Sequence, residues 1–301
     1  PFAQEVKRLE PVVVTATKIE TPQERLGASV TVITEEELTT RHYQTLVDVL
    51  RQVPGVEIQR RGSLGKLTTL GIRGSNERQV QVLVDGLRLK SPTAGDFNFS
   101  DPAIDQIERI EIVRGPQSTL YGADAIGGVI NIITKRGKGP LAGSLQLRGG
   151  NFETHREQFS FSGSYKLFDY ALSASAFGSG GQFKNDDSEQ RAVAARFGLA
   201  LPWHGQVSLS TRSAKSSTDL PVDRAIRTSP FFILDPDAQR QNELTTLSLQ
   251  WEQKPISWYE VHFRFGQFWN QLGFQDPRTP GIDTSTTISQ INTRRREFEL
   301  V

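Results

Sequence analysis

The residues able to do chemistry in this chain are few and scattered. Asn185-Asp186-Asp187 sets three oxygen-bearing side chains in a row, the kind of run that helps to hold a hard cation such as calcium. Calcium takes about six to eight oxygens, so the run would have to recruit Asp219, Asp223, Asp235 or Asp237. The plainer reading is three solvated turn residues. His42, His155, His204 and His262 show no i, i+4 pair and no metal spacing. There is no cysteine, which excludes disulfides, thiolate catalysis and Cys-based metal sites together. The stretch from Gly122 to Gly128 has the glycine content of a nucleotide loop but neither its spacing nor a following helix. No catalytic constellation emerges, and the chain reads as a non-enzyme.

Charged and β-prone positions carry more. Arg73 and Arg114 each precede a glycine at the end of an apolar run. If enclosed they would need carboxylates, because a desolvated guanidinium is costly unless paired. If not, they are surface arginines capping strand ends. Three turn-rich stretches supply Arg60, Arg61, Ser63, Leu64 and Lys66, then Asn76 and Arg78, then Lys90, Asp96, Phe97 and Asn98. These groups can hydrogen-bond and stack on a large polar ligand without forming a metal cage. Near the N-terminus, Pro11, Val12, Val13, Val14, Thr15 and Ala16 form a short β-prone segment. It can add by its backbone to the sheet edge of a partner, or serve as the first strand of the domain that follows. As a terminal segment without a packed face it is expected to be mobile.

Two kinds of element must position these groups. To about residue 138 the helical and strand periods are mixed. Ser29 to Ile33 reads as a strand, and Thr34 followed by Glu35, Glu36 and Glu37 caps a helix with acids suited to its dipole. Leu38, Leu46, Val49 and Leu50 give that helix an apolar face, which Pro54-Gly55 ends. Further strands are predicted at Val56 to Gln59, Thr68 to Arg73, Gln79 to Val84 and Arg109 to Val113, with Val129 to Thr134 closing the sheet. Beyond residue 140 only the strand period survives, in eight segments near 142–149, 156–166, 170–179, 190–201, 205–215, 243–252, 257–269 and 289–301.

The connections between those eight segments alternate. Lys166 to Asp169, Pro202 to Gly205 and Lys254 to Ser257 are tight, whereas 180–189, 216–242 and 271–289 are long and polar. A sandwich has no reason to sort its turns this way, but an outer-membrane barrel does. Tyr165, Tyr170, Trp203, Trp251, Trp258 and Tyr259 gather beside the tight turns, as in an interfacial girdle. Mean hydropathy of -0.40 and the absence of a long apolar run exclude a helical membrane protein, not a barrel. The balance of 35 basic against 34 acidic residues gives no nucleic-acid footprint. A barrel of eight strands holds only its own side chains, whereas one of about 22 leaves a lumen that a domain can plug. The chain is therefore expected to be the first part of a longer protein. It contains no methionine, so it is not expected to begin at a translation start, and Pro1 to Gln4 read equally as the remnant of a secretory signal, which Pro1 fits poorly, or as the product of arbitrary trimming.

In order and spacing, "IRGS" (72–75), "VLVDGLRL" (82–89) and "RIEIVRGPQSTLYGADAIGGVINIITK" (109–135) resemble the plug domain of TonB-dependent outer-membrane transporters. "EPVVVTATK" (10–18) is similar to their TonB box, and "LVDVLRQVPGV" (46–56) to the first plug helix and turn. The wording "GSLGKLTTLGIRG" and "DAIGGVINIIT" resembles the cobalamin type most, although ferric-siderophore receptors share much of it. The resemblance implies an α+β plug followed by antiparallel transmembrane strands of a plugged 22-stranded barrel. The domains would be 1–18 signal remnant and TonB-box segment, 19–138 plug, and 139–301 the first part of the barrel. It implies active uptake of a scarce large nutrient, cobalamin-like, across the bacterial outer membrane, with no bond chemistry. TonB, energised by ExbB and ExbD, would grip Pro11 to Ala16. Arg73 and Arg114 would lock the plug to wall glutamates; Glu260 and Glu299 face the lumen, but the family's partners are expected beyond Val301. The three loops would face the exterior and the ligand, and the acidic run would correspond to an outer-loop calcium site. Outer-membrane lipid is the remaining partner, and no nucleic acid is involved. The alternatives are a ferric-siderophore or haem receptor of the same family, a barrel that binds a partner without transport, and a soluble β-rich enzyme.

Overall fold

A computed structural model describes residues 12–13, 15–19, 21–41, 43, 45–91, 95–100, 107–221, 237–256, 259–277 and 286–301. The first half builds a small α+β unit. Strands β1 (Val12–Val13) and β2 (Thr21–Pro22) form a two-stranded ribbon, and β4 (Val56–Arg60) and β5 (Thr68–Ile72) form another. The main sheet contains β3 (Ser29–Thr34), β6 (Val80–Val84), β7 (Leu87–Arg88), β8 (Ile107–Arg114) and β9 (Gly128–Thr134), in the spatial order β3-β8-β9-β6-β7. The last of these in sequence therefore lies in the middle, parallel to β6 and antiparallel to β8. It does not close an edge as its place in the chain suggests. Gly127 and Gly128 permit the insertion: a Cβ on either would fall on Ser75 or on the Val113 carbonyl.

The helical stretch splits into α1 (Glu35–Thr40) and α2 (Leu46–Leu50), each begun by a reciprocal capping box, Thr34 with Glu37 and Thr45 with Asp48. Leu38, Leu46, Val47, Val49 and Leu50 pack with Ile110, Ile112, Ile130 and Ile132 in the principal core. Burying each such side chain stabilises the fold by about 1.5–3 kcal/mol. The opposite face of the sheet carries Leu83, Tyr121, Ala125 and Val129, and beside them Val13, Val30 and Val113. A sheet covered on both faces explains why β8 and β9 read as nearly continuous apolar runs.

The second half is an eight-stranded antiparallel meander in sequence order: β10 (Ala142–Gly149), β11 (His155–Tyr165), β12 (Phe168–Ser179), β13 (Ser188–Leu201), β14 (Gly205–Asp219), β15 (Gln239–Ile256), β16 (Tyr259–Asp276) and β17 (Thr287–Leu300). Its faces alternate. Phe159, Val193, Leu199, Leu209 and Leu249 are exposed on one, whereas Gln158, Arg196, Ser208 and Ser248 are buried on the other, toward the first unit. Strands β15 and β16 run to 18 residues each, longer than the roughly 9–11 that cross a bilayer. They outrun the expected ends because the mainly polar residues Gln239 to Asn242 and Asn270 to Asp276 continue the ladder beyond them. Tyr165, Trp203, Trp251 and Tyr259 stand exposed toward the tight-turn end, while Tyr170 is half-buried beside Phe168, with ring centroids 6.1 Å apart. Trp258 lies outside the described residues. No described helix is long and apolar enough to cross a membrane.

Candidate functional site

At the long-loop pole of the first unit, the three stretches expected to meet a ligand prove unequal. Arg60, Arg61, Asn76 and Arg78 are exposed. Arg61 pairs with Glu77 at 3.3 Å, and the Asn76 side chain caps the turn by accepting from the Arg78 amide at 2.9 Å. Lys90 is buried, donating to the Arg78 carbonyl and lying 3.8 Å from Asp124. Asn98 accepts from the Thr68 and Ser100 amides at 3.0 and 3.2 Å. Lys90 and Asn98 thus build the loops. Asp96, Phe97 and Asn98, with Arg212, Arg240, Asn242 and Asn270 of the wall, also line a cleft of about 50 Å³.

Within the Asn185-Asp186-Asp187 run, Asp187 is exposed as a solvated turn would have it, but Asp186 is not. Asp186 is 1% exposed. One of its oxygens accepts from the Gln182 and Phe183 amides at 2.7 and 3.3 Å and from the Ser63 hydroxyl. The other lies 3.1 Å from Lys66 Nζ. Burial works against its charge, yet the hydrogen bonds from Ser63 and the Gln182 amide, together with Lys66, hold its carboxyl below the usual range. A depressed acid contributes stability above its ordinary pKa and loses it as pH falls through the lowered value, so this tie persists to mildly acidic pH. Leu64 is half-buried. The lysine and serine responsible lie more than a hundred residues upstream, which no local sequence signal reveals.

At the opposite pole the N-terminal run is docked where mobility was expected. Val13 pairs with Thr21 and is fully buried. Thr15 donates from its amide and hydroxyl to the Glu111 carboxylate at 2.8 and 2.6 Å, and its hydroxyl accepts from the Asn131 amide at 3.1 Å. Tyr121 donates to the Thr15 carbonyl at 2.9 Å; burial pushes its phenol up to about 12, so it stays a donor at neutral pH. Ala16 is half-buried in the small cluster around Val13. Pro11 and Val14 fall outside the described residues. Glu111 is fully buried in β8, and its second oxygen meets Arg109 Nε at 2.8 Å. A glutamate inside an apolar strand was the one sequence sign of this site. Each hydrogen bond to a buried carboxylate is worth about 1.5–3 kcal/mol, so Glu111→Ala is expected to free the run. Tryptic cleavage after Lys18 should accelerate by on the order of tenfold or more; an unchanged rate would remove Glu111 from this role.

Between the poles the unit is fastened to the wall by Glu299 and by residues around Asp85 that the sequence did not single out. Asp85 and Gly86, with φ of 49° and 77°, form the tight hairpin between β6 and β7. The Asp85 carboxylate accepts from the Thr134 amide and hydroxyl at 2.9 and 2.7 Å and pairs with Arg196 of β13 at 3.2 Å. Its carbonyl accepts from Gln250 of β15 at 2.7 Å and from Arg264 of β16 at 3.5 Å. Glu299 pairs with both Lys18 and Arg264, whereas Glu260 pairs with Lys254 at 3.5 Å and with His262 at 2.9 Å. Arg73 and Arg114 sit together at another edge. Arg114 donates to the Pro54 carbonyl and the Thr31 hydroxyl, both at 3.0 Å. Arg73 is exposed, its amide donating to the Gly55 carbonyl at 2.7 Å. Neither meets a carboxylate among the described residues, and Arg114 Nε is buried without a partner there.

Comparison with known proteins agrees with this geometry. The family described as TonB-dependent Receptor Plug Domain matches residues 22–129. The chain is 42% identical over 172 residues to the Vitamin B12 transporter BtuB of Vibrio vulnificus, covering 55% of this chain and 28% of that one. It is 37% identical over 150 residues to the protein of that name from Photobacterium profundum, covering 50% and 25%. This chain thus spans about a quarter of the length of those relatives. Among solved structures, the pyoverdine outer membrane receptor FpvA of Pseudomonas aeruginosa superposes with a TM-score of 0.74 at 14% identity, over 96% of this chain and 45% of that one. The siderophore receptor PirA of Acinetobacter baumannii gives 0.64 at 20% identity, over 89% and 43%. At such identity these two speak for the fold.

Proposed function

We propose that this chain, whose residues 22–129 match the TonB-dependent receptor plug family, carries the gate and the first wall strands of an active importer of a scarce, large nutrient. The observation that carries this reading is the plug's polarity. A short β-prone run is held by a buried carboxylate at one pole, and polar loops meet the wall's long connections at the other. Ligand would bind at the loop pole, against Arg60, Arg61, Asn76, Arg78 and the Asp96–Asn98 cleft. TonB, energised by ExbB and ExbD, would take Pro11 to Ala16 by strand addition and pull. The ties to the wall would decide how far the plug then shifts. Arg73 and Arg114 are suited to lock the plug to glutamates on further wall strands, which supports assigning the buried Arg114 Nε a partner there. The protein would lie in the bacterial outer membrane, with the aromatics near the tight turns at headgroup level.

Cobalamin is the first candidate ligand, because the similar curated relatives are named as vitamin B12 transporters. Ferric siderophores are the second, because structures of the same fold include siderophore receptors. Titrating the full-length receptor with cobalamin and with a panel of ferric siderophores separates the two. Saturable binding of cobalamin alone is the expected result. Binding of the iron chelates alone would assign the chain to the other branch.

A further inference from the structure

Lys66 ends the first plug loop, yet its side chain is only 3% exposed. An ammonium has three donors and no acceptor, and three oxygens surround this one: Asp186 Oδ1 at 3.1 Å, the Asp187 carbonyl at 3.0 Å and the Asp219 carbonyl at 2.7 Å. None of the three belongs to the plug. The first two lie in the connection between β12 and β13, and the third ends β14. The two outer connections are also tied to each other around the lysine. Asn185 donates its amide to the Leu220 and Ala238 carbonyls at 3.3 and 3.2 Å, the Asp219 amide donates to the Asp187 carbonyl at 2.9 Å, and Gln239 donates to the Asp219 carboxylate at 2.9 Å. Gln190 meanwhile donates to the carbonyl of Gly65, the residue before the lysine, at 3.1 Å.

This is the acidic run weighed above as a calcium site; Asp223 and Asp235 lie outside the described residues, and the described donors do not fit the metal. Calcium needs about six to eight oxygens converging at about 2.3–2.6 Å. Here the carboxylate and the two carbonyls converge on a nitrogen that already carries the positive charge. Asn185 contributes its amide nitrogen to Leu220 and Ala238, and Asp219 turns its carboxylate to Gln239. A divalent ion drawing on the same oxygens would lie close to the ammonium, in a buried setting where like charges are weakly screened. Among the described residues no group of three or more acidic or histidine side chains is arranged to hold a metal.

We propose that Lys66 is the resident cation of this cluster, so that the receptor orders its outer connections and joins them to the plug apex without calcium. The lysine brings its charge from the plug itself. The order of the outer connections is thereby coupled to the position of the plug loop, in a way that a free ion could not provide. The inference rests on the importer reading only for what that coupling would serve.

The full-length receptor in detergent micelles is titrated with calcium chloride alone by calorimetry, and its thermal unfolding is compared in calcium and in EGTA. No saturable heat and coincident unfolding midpoints are expected. A resident calcium would give a binding isotherm and raise the midpoint by mass action, and either result overturns the proposal. The second arm follows tryptic cleavage after Lys184 in Lys66→Gln, which loses an ion pair with Asp186 and two charge-assisted hydrogen bonds to carbonyls. Cleavage is expected to quicken by on the order of tenfold, and an unchanged rate overturns the tether. The first arm uses only the native sequence and stands if the variant does not assemble. Neither arm uses a transported ligand, so failure of the nutrient assay and failure of this inference are read separately.

Discussion

Replacing Val13 by proline is expected to abolish uptake by the full-length receptor while leaving ligand affinity unchanged. Val13 lies in β1 opposite Thr21, and a segment handed to a partner's sheet edge needs its backbone N–H groups free to pair again. Proline removes that donor, and a partner group left unpaired costs about 1–3 kcal/mol, which corresponds to roughly tenfold or more in the strength of the handover. The same side chain is buried with Val30 and Val113, so proline also loosens the docked state. Val13→Ala separates the two effects. It removes the packing but keeps the N–H, and is expected to retain most of the uptake. The loops proposed to meet the ligand occupy the other pole of the plug, which is why binding should survive both changes. Uptake that persists in the proline variant, or ligand affinity that falls with it, would refute the assignment of this run as the TonB-gripped segment.

What the sequence disclosed follows from which interactions are local. The wall strands were legible because alternation is a property of neighbours. Phe159 against Gln158 and Leu249 against Ser248 announce a two-faced strand before any partner is known. The caps were legible for the same reason, since Thr34 and Glu37 are three residues apart. The sheet order was not. That β9 sits between β8 and β6 is decided by contacts across the fold, and the glycines that admit it read only as flexibility. At the candidate site, the residue types of the acidic run were visible but their partner was not, because Lys66 reaches Asp186 from 120 residues away (186 − 66). Asp85 hid for a similar reason. Between two apolar runs an Asp-Gly pair reads as a turn, and its carboxylate gains a second purpose only when Arg196 arrives from the wall. Arg196 itself stands in an inward row with Ala192, Ala194 and Gly198. A lone cation among small residues is the signal that, weighed physically, asks for an acid opposite.

That pair supports the second large expectation. Asp85 and Arg196 have side chains 6% exposed each and lie 3.2 Å apart, and the carboxylate also holds the Thr134 amide and hydroxyl. Removing one member of a buried ion pair costs about 3–5 kcal/mol, because the other is left charged and dry. Alanine would add backbone strain, since residue 85 has a φ of 49°. Asparagine tolerates that conformation and isolates the charge, so Asp85→Asn is the informative variant. In it, amide exchange across β9 and the β6–β7 hairpin should quicken, and outer membranes carrying the full-length receptor should leak large antibiotics that the native plug excludes. Arg196→Gln should act alike, because it leaves the Asp85 carboxylate without its counter-charge. The double variant places two neutral amides face to face and should recover part of the loss, which a double-mutant cycle would register as coupling between the sites. If the single changes add without coupling, the pair is incidental to plug retention. The lock would then have to be sought at the edge where Arg73 and Arg114 lie.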